Sequence, residues 1–306
     1  MNDGLRPPAT PIRRPYTRAR LDALVAFAST HALSRVHAPP ARRLLAELAP
    51  PEGVIELVAD GQPVFVGAVI DRCENLHDAA LFEVLGWDGT TPLDVLLAEA
   101  TPIAIAVGRR AGRAQLSLSL PARQAGALQG QGWIRGEASY VLERDLSPWP
   151  SPAPPAGAEW EDLSPLDVAE HYDAVRAAFA EDPGMMLPDL DTFAVASLGA
   201  AVPVRVLRAL SARRGEAEIA FARVVLEDEG RVGYIASIGR APAWKGRGLG
   251  PVALAEALRQ LVRLGVARLR LGVTATNAAA VELYRRTGFV EVERWETWRR
   301  PLSEAG

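Results

Sequence analysis

Several residue types are scarce in this 306-residue chain, and each scarcity excludes a class of protein. Cys73 is the single cysteine, so an intrachain disulfide and a CxxC metal site are excluded, and a reducing cytoplasm is the expected compartment. No apolar run reaches the roughly 18 residues of a membrane-spanning helix, and the first residues carry no apolar signal-peptide core. We therefore expect neither export nor association with a membrane.

The chain has no excess of positive charge, and histidine is sparse. Lysine and arginine number 34 against 37 aspartates and glutamates, so no excess of positive charge exists to neutralise nucleic-acid phosphates. The chain has four histidines, His31, His37, His77 and His171. Their spacing is neither the H-x₃-H nor the HExxH of a metal site. We predict no nucleic-acid partner and no metal.

A glycine-rich turn between a strand and a helix is the most informative feature that is present. The strand VGYIASIG leads into PAWKGRGLGP, in which Gly246, Gly248 and Gly250 alternate with larger residues. Glycine permits positive φ and a close backbone approach, and the start of the following helix offers free N–H groups to an anion, usually a phosphate. Lys245, the one lysine of the chain, and Arg247 add positive charge. The turn therefore predicts a phosphate-binding loop.

The spacing of this turn differs from that of the two commonest nucleotide loops. It is neither the G-x-x-x-x-G-K-[ST] of P-loop proteins nor the G-x-G-x-x-G of dinucleotide folds. Downstream we predict a helix from Pro251 to Leu264, a strand ARLRLGV, and a helix from Ala278 to Arg286. Asn277 is the predicted N-cap of that second helix.

These segments resemble the paired motifs of the GNAT superfamily of N-acetyltransferases. The resemblance spans about 145 residues at the C-terminal end and rests on the loop from Lys245 to Gly250, with Pro242 ahead of it, followed by Asn277, Ala280, Tyr284 and Gly288-Phe289. It implies a mixed sheet whose fourth and fifth strands splay apart, with acetyl-CoA as the co-substrate in the gap.

The resemblance also implies roles for individual residues. After Lys245 and Gly246, the loop would hold the pyrophosphate of CoA through the N–H groups of Arg247, Gly248, Leu249 and Gly250. Main-chain groups of Ile238 and Arg240 would pair with the pantetheine arm, and Asn277 would contact the same arm. Tyr284 would lie near the sulfur.

Acetyl transfer to an amine needs a base for the ammonium and an acid for the departing thiolate. Tyr284 is the predicted general acid, because a group with an ordinary pKa near 10 is suited to protonate a thiolate. Many family members place a glutamate on the strand before the loop as the base, whereas VGYIASIG has no carboxylate. Glu218, Tyr234 and Ser237 are candidates for the base, and the sequence leaves this choice open.

A proline-rich segment divides the chain near its middle. SPWPSPAPPAG has five prolines in 11 residues, which no helix or central strand tolerates, so residues 147–157 are a predicted linker. We predict domains at residues 1–146 and 158–306.

The first half repeats the pattern of the second. Gly132-Trp133 corresponds to Gly288-Phe289, AQLSLSLP parallels ARLRLGV, and ALFEVLG precedes a turn as YIASIG does. The counterpart of the phosphate loop, GWDGTTPLD, has no basic residue, and Thr91 with Asp94 predicts a capping box that fills the helix N-terminus. The alternative is an unrelated α/β domain.

The predicted fold is therefore α/β, with two tandem GNAT-like domains. Each would be a mostly antiparallel sheet that splays between strands 4 and 5 and is flanked by helices. The first copy would lack the cofactor motif. The arrangement is similar to that of mycothiol synthase.

The resemblance implies an acyl-CoA-dependent N-acyltransferase that moves an acetyl group to a primary amine by direct attack in a ternary complex. The acceptor could be a metabolite, an aminated antibiotic, a cysteinyl conjugate or a protein N-terminus, and a monomer is expected. A non-catalytic acyl-CoA-binding or assembly module is the alternative, suggested by the missing strand carboxylate and the blocked first copy.

Overall fold

The structure is a computed structural model that describes residues 10–34, 41–71, 73–75, 77–146, 152–182, 185–200, 202–211, 215–227 and 231–302. The chain divides into two compact units. Unit 1 comprises Met1–Ala138 with Arg294–Gly306, and unit 2 comprises Ser139–Glu293.

Unit 1 is a sheet flanked by helices. Its strands are β1 (Ile12–Arg14), β2 (Val54–Ala59), β3 (Gln62–Ile70), β4 (Cys73–Asn75), β5 (Ala79–Trp87), β6 (Gln115–Pro121) and the first part of β7 (Ile134–Asp145). Its helices are α1 (Leu21–Thr30), α2 (Ala41–Arg43) and α3 (Leu93–Arg110). The strand order β1-β2-β3-β5-β6 is antiparallel except for the parallel pair β5 and β6.

Unit 2 has the same plan. Its strands are β8 (Ala158–Asp162), β9 (Met186–Pro188), β10 (Arg205–Ser211), β11 (Gly215–Glu227), β12 (Val232–Arg240), β13 (Arg268–Thr274) and the first part of β14 (Val290–Pro301). Its helices are α4 (Val168–Ala178), α5 (Leu190–Leu198), α6 (Leu249–Arg263) and α7 (Ala278–Arg286). The order β8-β10-β11-β12-β13-β7 is antiparallel except for the parallel pair β12 and β13.

Two strands cross from one unit to the other along the chain. The second part of β7, from Ser139, pairs with β13 in unit 2, and the second part of β14, from Trp295, pairs with β6 in unit 1. The predicted domains, residues 1–146 and 158–306, were inferred from the repeat in the sequence, and they stay a prediction. Of the predicted linker, residues 147–151 lie outside the described residues, and residues 152–157 form neither helix nor strand.

The sheet of unit 2 carries helices on both faces. Helices α6 and α7 cover one face through a core that includes Leu254, Leu261 and Leu271. Helices α4 and α5 cover the other face, where Phe193 and Phe221 are buried. The predicted mixed α/β fold with a sheet that splays between its fourth and fifth strands is confirmed.

Two predicted helix starts are wrong. Helix α6 begins at Leu249 and not at Pro251, because Gly248 adopts a φ of 77° and serves as the N-cap. Pro251 is then the third helical residue, where a missing N–H costs no intrahelical bond. In unit 1, Pro92 is the N-cap of α3 without a side-chain cap, so Thr91 and Asp94 form no capping box.

Candidate functional site

The glycine-rich loop leaves backbone N–H groups at the start of α6. Gly246 and Gly248 have φ values of 78° and 77°, which other residues rarely adopt, so the chain turns sharply into the helix. Within the described part of the chain, no side chain caps the helix and no backbone carbonyl accepts from Gly248, Leu249 or Gly250. The first turn of α6 also has no acidic residue. This terminus therefore has the donors and the dipole that favour an anion.

The two basic residues of the loop, Lys245 and Arg247, make different contacts. The Arg247 guanidinium lies over the Trp244 ring, 4.9 Å from its centroid, and the Arg247 N–H donates to Trp244 O at 3.3 Å. The Arg247 N–H is therefore already engaged, unlike those of the three residues that follow. Lys245 is exposed beside the loop, and its N–H donates to Pro242 O at 3.0 Å.

Strands β12 and β13 separate just ahead of this loop. Their parallel pairing ends at Ile235 and Leu271, although β12 continues to Arg240 and β13 to Thr274. The separation coincides with a register shift between β11 and β12 that leaves Ala236 without a partner on β11. From Ala236 to Arg240, one edge of β12 therefore lies open within the described residues.

Alternation along β12 shows which groups point to this open edge. The Ala241 N–H donates to Ile219 O on β11 at 2.9 Å. Because successive residues of a strand alternate, the main-chain groups of Arg240 and Ile238 point to the opposite side, the open edge. The two residues predicted to pair with pantetheine thus present their backbone groups there.

Two tyrosines lie near the place where β12 and β13 separate, Tyr234 on β12 and Tyr284 on α7. Tyr284 on α7 is buried and packs against Phe289 with ring centroids 5.8 Å apart. Burial raises the pKa of Tyr284 above its ordinary value, and the nearby Tyr234 adds to the rise. Burial and the charge of Glu227 raise the pKa of Tyr234 to about 12, against a lowering by its hydrogen bond to the Gly272 backbone. Both phenols therefore remain protonated at neutral pH.

The other candidate bases are more scattered. Ser237 is partly buried and pairs with Arg223 on β11. Glu218 is buried, and both of its oxygens lie near Nδ1 of His171, at 2.9 and 3.1 Å. Tyr234 pairs with Val225, so Glu218 is seven residues further along β11, roughly 20 Å at the usual rise per residue. Tyr234 lies near enough to Tyr284 to raise its pKa, whereas Glu218 lies far from Tyr234 along β11.

Two features of this region were not found in the sequence. The His171–Glu218 pair joins α4 to β11, and an isolated histidine gave no signal of it. Asp182, which follows α4, accepts a hydrogen bond from Oγ1 of Thr274 at 3.0 Å, at the end of β13. Only the pairing of distant residues in the fold reveals either contact.

Asn277 caps α7 as predicted. Its side-chain oxygen accepts from the Ala280 N–H at 3.2 Å. The side-chain amide donors remain as the groups with which Asn277 could contact a ligand.

The equivalent separation in unit 1 holds the chain's own backbone. Pairing between β5 and β6 ends at Phe82 and Leu118, just as β12 and β13 part in unit 2. The Trp87 N–H donates to His31 O at 2.9 Å, and the Arg123 guanidinium donates to Leu33 O at 2.5 Å. Residues that follow α1 therefore bridge the ends of both strands.

None of the helices in the described residues is long and apolar enough to span a membrane. In the same residues, no three His, Cys, Asp or Glu side chains are grouped as a metal site requires.

Comparisons with known proteins agree with this geometry. The model of the acetyltransferase (GNAT) family matches residues 173–289. A segment of 69 residues is 39% identical to the mycothiol acetyltransferase of Corynebacterium kroppenstedtii, and it covers 22% of this chain and 19% of that protein. The chain thus matches about a fifth of the length of this curated relative.

Solved structures extend the similarity to the whole chain. A GCN5-related N-acetyltransferase from Sphaerobacter thermophilus superposes with a TM-score of 0.71 at 20% identity over 97% of both chains. A tandem GNAT protein from the clavulanic acid biosynthesis pathway gives a TM-score of 0.67 at 16% identity over 97% of this chain and 99% of that one. Residues 173–289 thus match the sequence pattern of the acetyltransferase (GNAT) family, and the whole chain has a fold similar to that of a tandem GNAT protein.

Proposed function

We propose that the chain transfers an acetyl group from acetyl-CoA to a primary amine by direct attack in a ternary complex. The observation that carries this proposal is the row of N–H groups on Gly248, Leu249 and Gly250, placed at the end of the open edge of β12. A diphosphate at these donors leaves the pantetheine arm to run back along Arg240 and Ile238. The thioester then reaches the region of Tyr284.

The groups beside the thioester suit this reaction. The neutral amine nitrogen forms a bond to the carbonyl carbon, the C–S bond breaks, and the thiolate leaves. The nitrogen loses one further proton as it becomes an amide, and that proton restores the Tyr284 phenol after it has protonated the thiolate. Tyr284 remains protonated at neutral pH and can donate its phenolic proton to that thiolate. The ammonium form of the acceptor must lose one proton before attack, and Glu218, Tyr234 and Ser237 stay candidates for its base.

Calorimetric titration with CoA tests the binding half of the proposal. We expect one CoA per chain, since the chain's own backbone occupies the equivalent place in unit 1. Gly248→Ala should weaken CoA binding at least about tenfold, because alanine in the left-handed conformation would strain the start of α6. Gly265→Ala is the matched control, with a φ of 69° and open space around it, like Gly248. A parent protein that binds no CoA, or equal effects of both substitutions, would contradict the proposal.

Thiol release from acetyl-CoA across a panel of amines tests the catalytic half. Tyr284→Phe should lower turnover on the order of 10²-fold while CoA affinity is retained, because the acid for the thiolate is lost. CoA binding without turnover in both proteins would favour the non-catalytic acyl-CoA-binding module.

A further inference from the structure

A groove in unit 1 runs along one face of α3, and none of the residues that line it belongs to the site described above. Its volume is about 520 Å³, within the range of small-molecule sites. The apolar part of the lining is Ala98, Pro102, Ile105 and Ala106. These positions are spaced three or four residues apart or adjoin, so they form one stripe on the helix. The groove therefore offers an apolar wall of the size that an organic molecule requires.

Two arginines line the same groove, and backbone carbonyls hold both of them. Arg109 on α3 donates through Nε to Leu302 O at 3.0 Å. Arg300 on β14 donates through Nη1 to Gln131 O. Its guanidinium lies against Gly132, where a Cβ would stand 3.3 Å from Cζ. In the described part of the chain neither arginine forms an ion pair or a second hydrogen bond, so most of their N–H groups are unused.

The other polar residues of the groove are also fixed in place. The side-chain amide of Gln131 donates to Asp94 O at 2.9 Å and to Ala127 O at 2.8 Å. The Thr101 hydroxyl donates to Leu97 O at 2.6 Å. None of the lining residues is acidic, so the lining does not neutralise the two guanidinium charges. Because both guanidinium groups are already anchored, they lose little side-chain entropy when they bind a carboxylate.

From this combination we propose that the groove on α3 binds a small organic acid with an apolar body. The carboxylate accepts hydrogen bonds from the free N–H groups of Arg109 and Arg300. The apolar body packs on the stripe that includes Pro102 and Ile105. This site is separate from the proposed acetyl transfer, which stands whether or not the groove binds an acid.

Pairs of a carboxylic acid and its neutral amide test the proposal. Phenylacetate and phenylpropionate are compared with phenylacetamide and phenylpropionamide by NMR titration, observed at the methyl groups of Ile105. Each acid should bind the parent at least about tenfold more tightly than its amide, because only the acid uses the guanidinium charges. Arg109→Gln and Arg300→Gln should each weaken the acids about tenfold and the amides less than about threefold. Ala106→Phe, which fills the groove, should abolish binding of both.

Arg110→Gln is the matched control. Arg110 is the adjacent exposed arginine, lies 3.7 Å from Glu52 in an ion pair, and does not line the groove. This variant should keep the parent affinity for every probe, and urea unfolding midpoints equal to that of the parent report that each variant is folded. The proposal is overturned if the parent binds neither acid, if the acids bind no more tightly than their amides, or if Arg110→Gln weakens them as much as Arg109→Gln does.

A carboxylate of the chain itself is the competing occupant. Glu304 follows Leu302 by two residues and lies outside the described residues. Glu304→Gln should leave the affinity for phenylpropionate unchanged. A rise of about tenfold, the effect of freeing a charged hydrogen-bonding site, would show that Glu304 occupies the groove and would overturn the proposal of an external acid.

Discussion

At the scale of single residues, the two halves of the chain differ by one carboxyl on matching strands. Glu83 follows Phe82, the last residue of β5 that pairs with β6, as Ala236 follows Ile235 on β12. The first half thus has a carboxyl where the second half has alanine. Burial raises the pKa of Glu83 to about 7. No ion pair or hydrogen bond to Glu83 is found among the described residues, so desolvation of its charged form is uncompensated.

The raised pKa of Glu83 predicts a pH-dependent stability. Below its unfolded pKa of about 4.5 the carboxyl is protonated in both states, and no penalty exists. As the pH rises to about 7, the unfolded state ionises first, so the free energy of unfolding should fall by on the order of 3 kcal/mol. Urea unfolding of the parent and Glu83→Gln between pH 4.5 and 8 measures this difference.

The control for this titration is Glu99→Gln, which removes an exposed carboxyl from α3 of the same unit. Its stability should follow that of the parent at every pH. A Glu83→Gln protein whose curve also runs parallel to the parent would show that the Glu83 carboxyl ionises normally.

At the scale of elements, the open edge of β12 depends on close packing between the β12 backbone and an aromatic ring on β11. Phe221 on β11 lies over Gly239, and its ring also meets His171 edge-on, with centroids 5.3 Å apart. A Cβ at Gly239 would stand 2.2 Å from Cζ of that ring. The glycine between Ile238 and Arg240 is therefore required by packing, in addition to any role near a ligand.

Gly239→Ala should consequently destabilise unit 2. Overpacking of a buried ring typically costs about 1–3 kcal/mol. Here the movement needed to relieve the clash at residue 239 would also displace the backbone of Ile238 and Arg240. Urea unfolding should show the loss, and calorimetry should show weaker CoA binding. Gly126→Ala, whose Cβ would meet nothing within 4 Å, should be nearly neutral. Equal stability of the two variants would refute the packing argument.

Element boundaries show the limit of local sequence reasoning. The helix Ala278–Arg286 and its cap Asn277 were predicted correctly, because cap and apolar spacing are local signals. The predicted start of α6 was wrong, because the left-handed conformation of Gly248 sets it. Each of the three glycines in the loop could have adopted that conformation, so the sequence did not show which one does. At α3 the turn is instead held by Asp88, which accepts from the Thr90 N–H at 3.0 Å.

At the scale of the whole molecule, the last strand contributes to the unit built mainly from the first half of the sequence. Residues Trp295 to Pro301 of β14 pair with β6, and Trp298 and Leu302 are buried in the core of unit 1. The Arg109 side chain also donates to Leu302 O at 3.0 Å. Unit 1 is therefore complete only with residues from the end of the chain.

Trp298→Ala should for this reason destabilise unit 1 although it lies near the C-terminus. Removal of a buried Trp typically costs about 3–5 kcal/mol. Hydrogen exchange should show faster exchange in peptides from β6, while Glu291→Ala, an exposed position on the same strand, should leave exchange unchanged. Unaltered exchange in β6 of Trp298→Ala would refute this dependence.

The prediction of a phosphate-binding loop, the family resemblance and the prediction of a first copy without the cofactor motif follow from residues close together in sequence, because turns, caps and glycine spacing are local physics. Pairing between strands that are far apart is different: β6 and β14, or Asp182 and Thr274, meet only when the entire sheet and its helices have formed. The tertiary structure therefore decided which strand completes each unit and where β12 lies open.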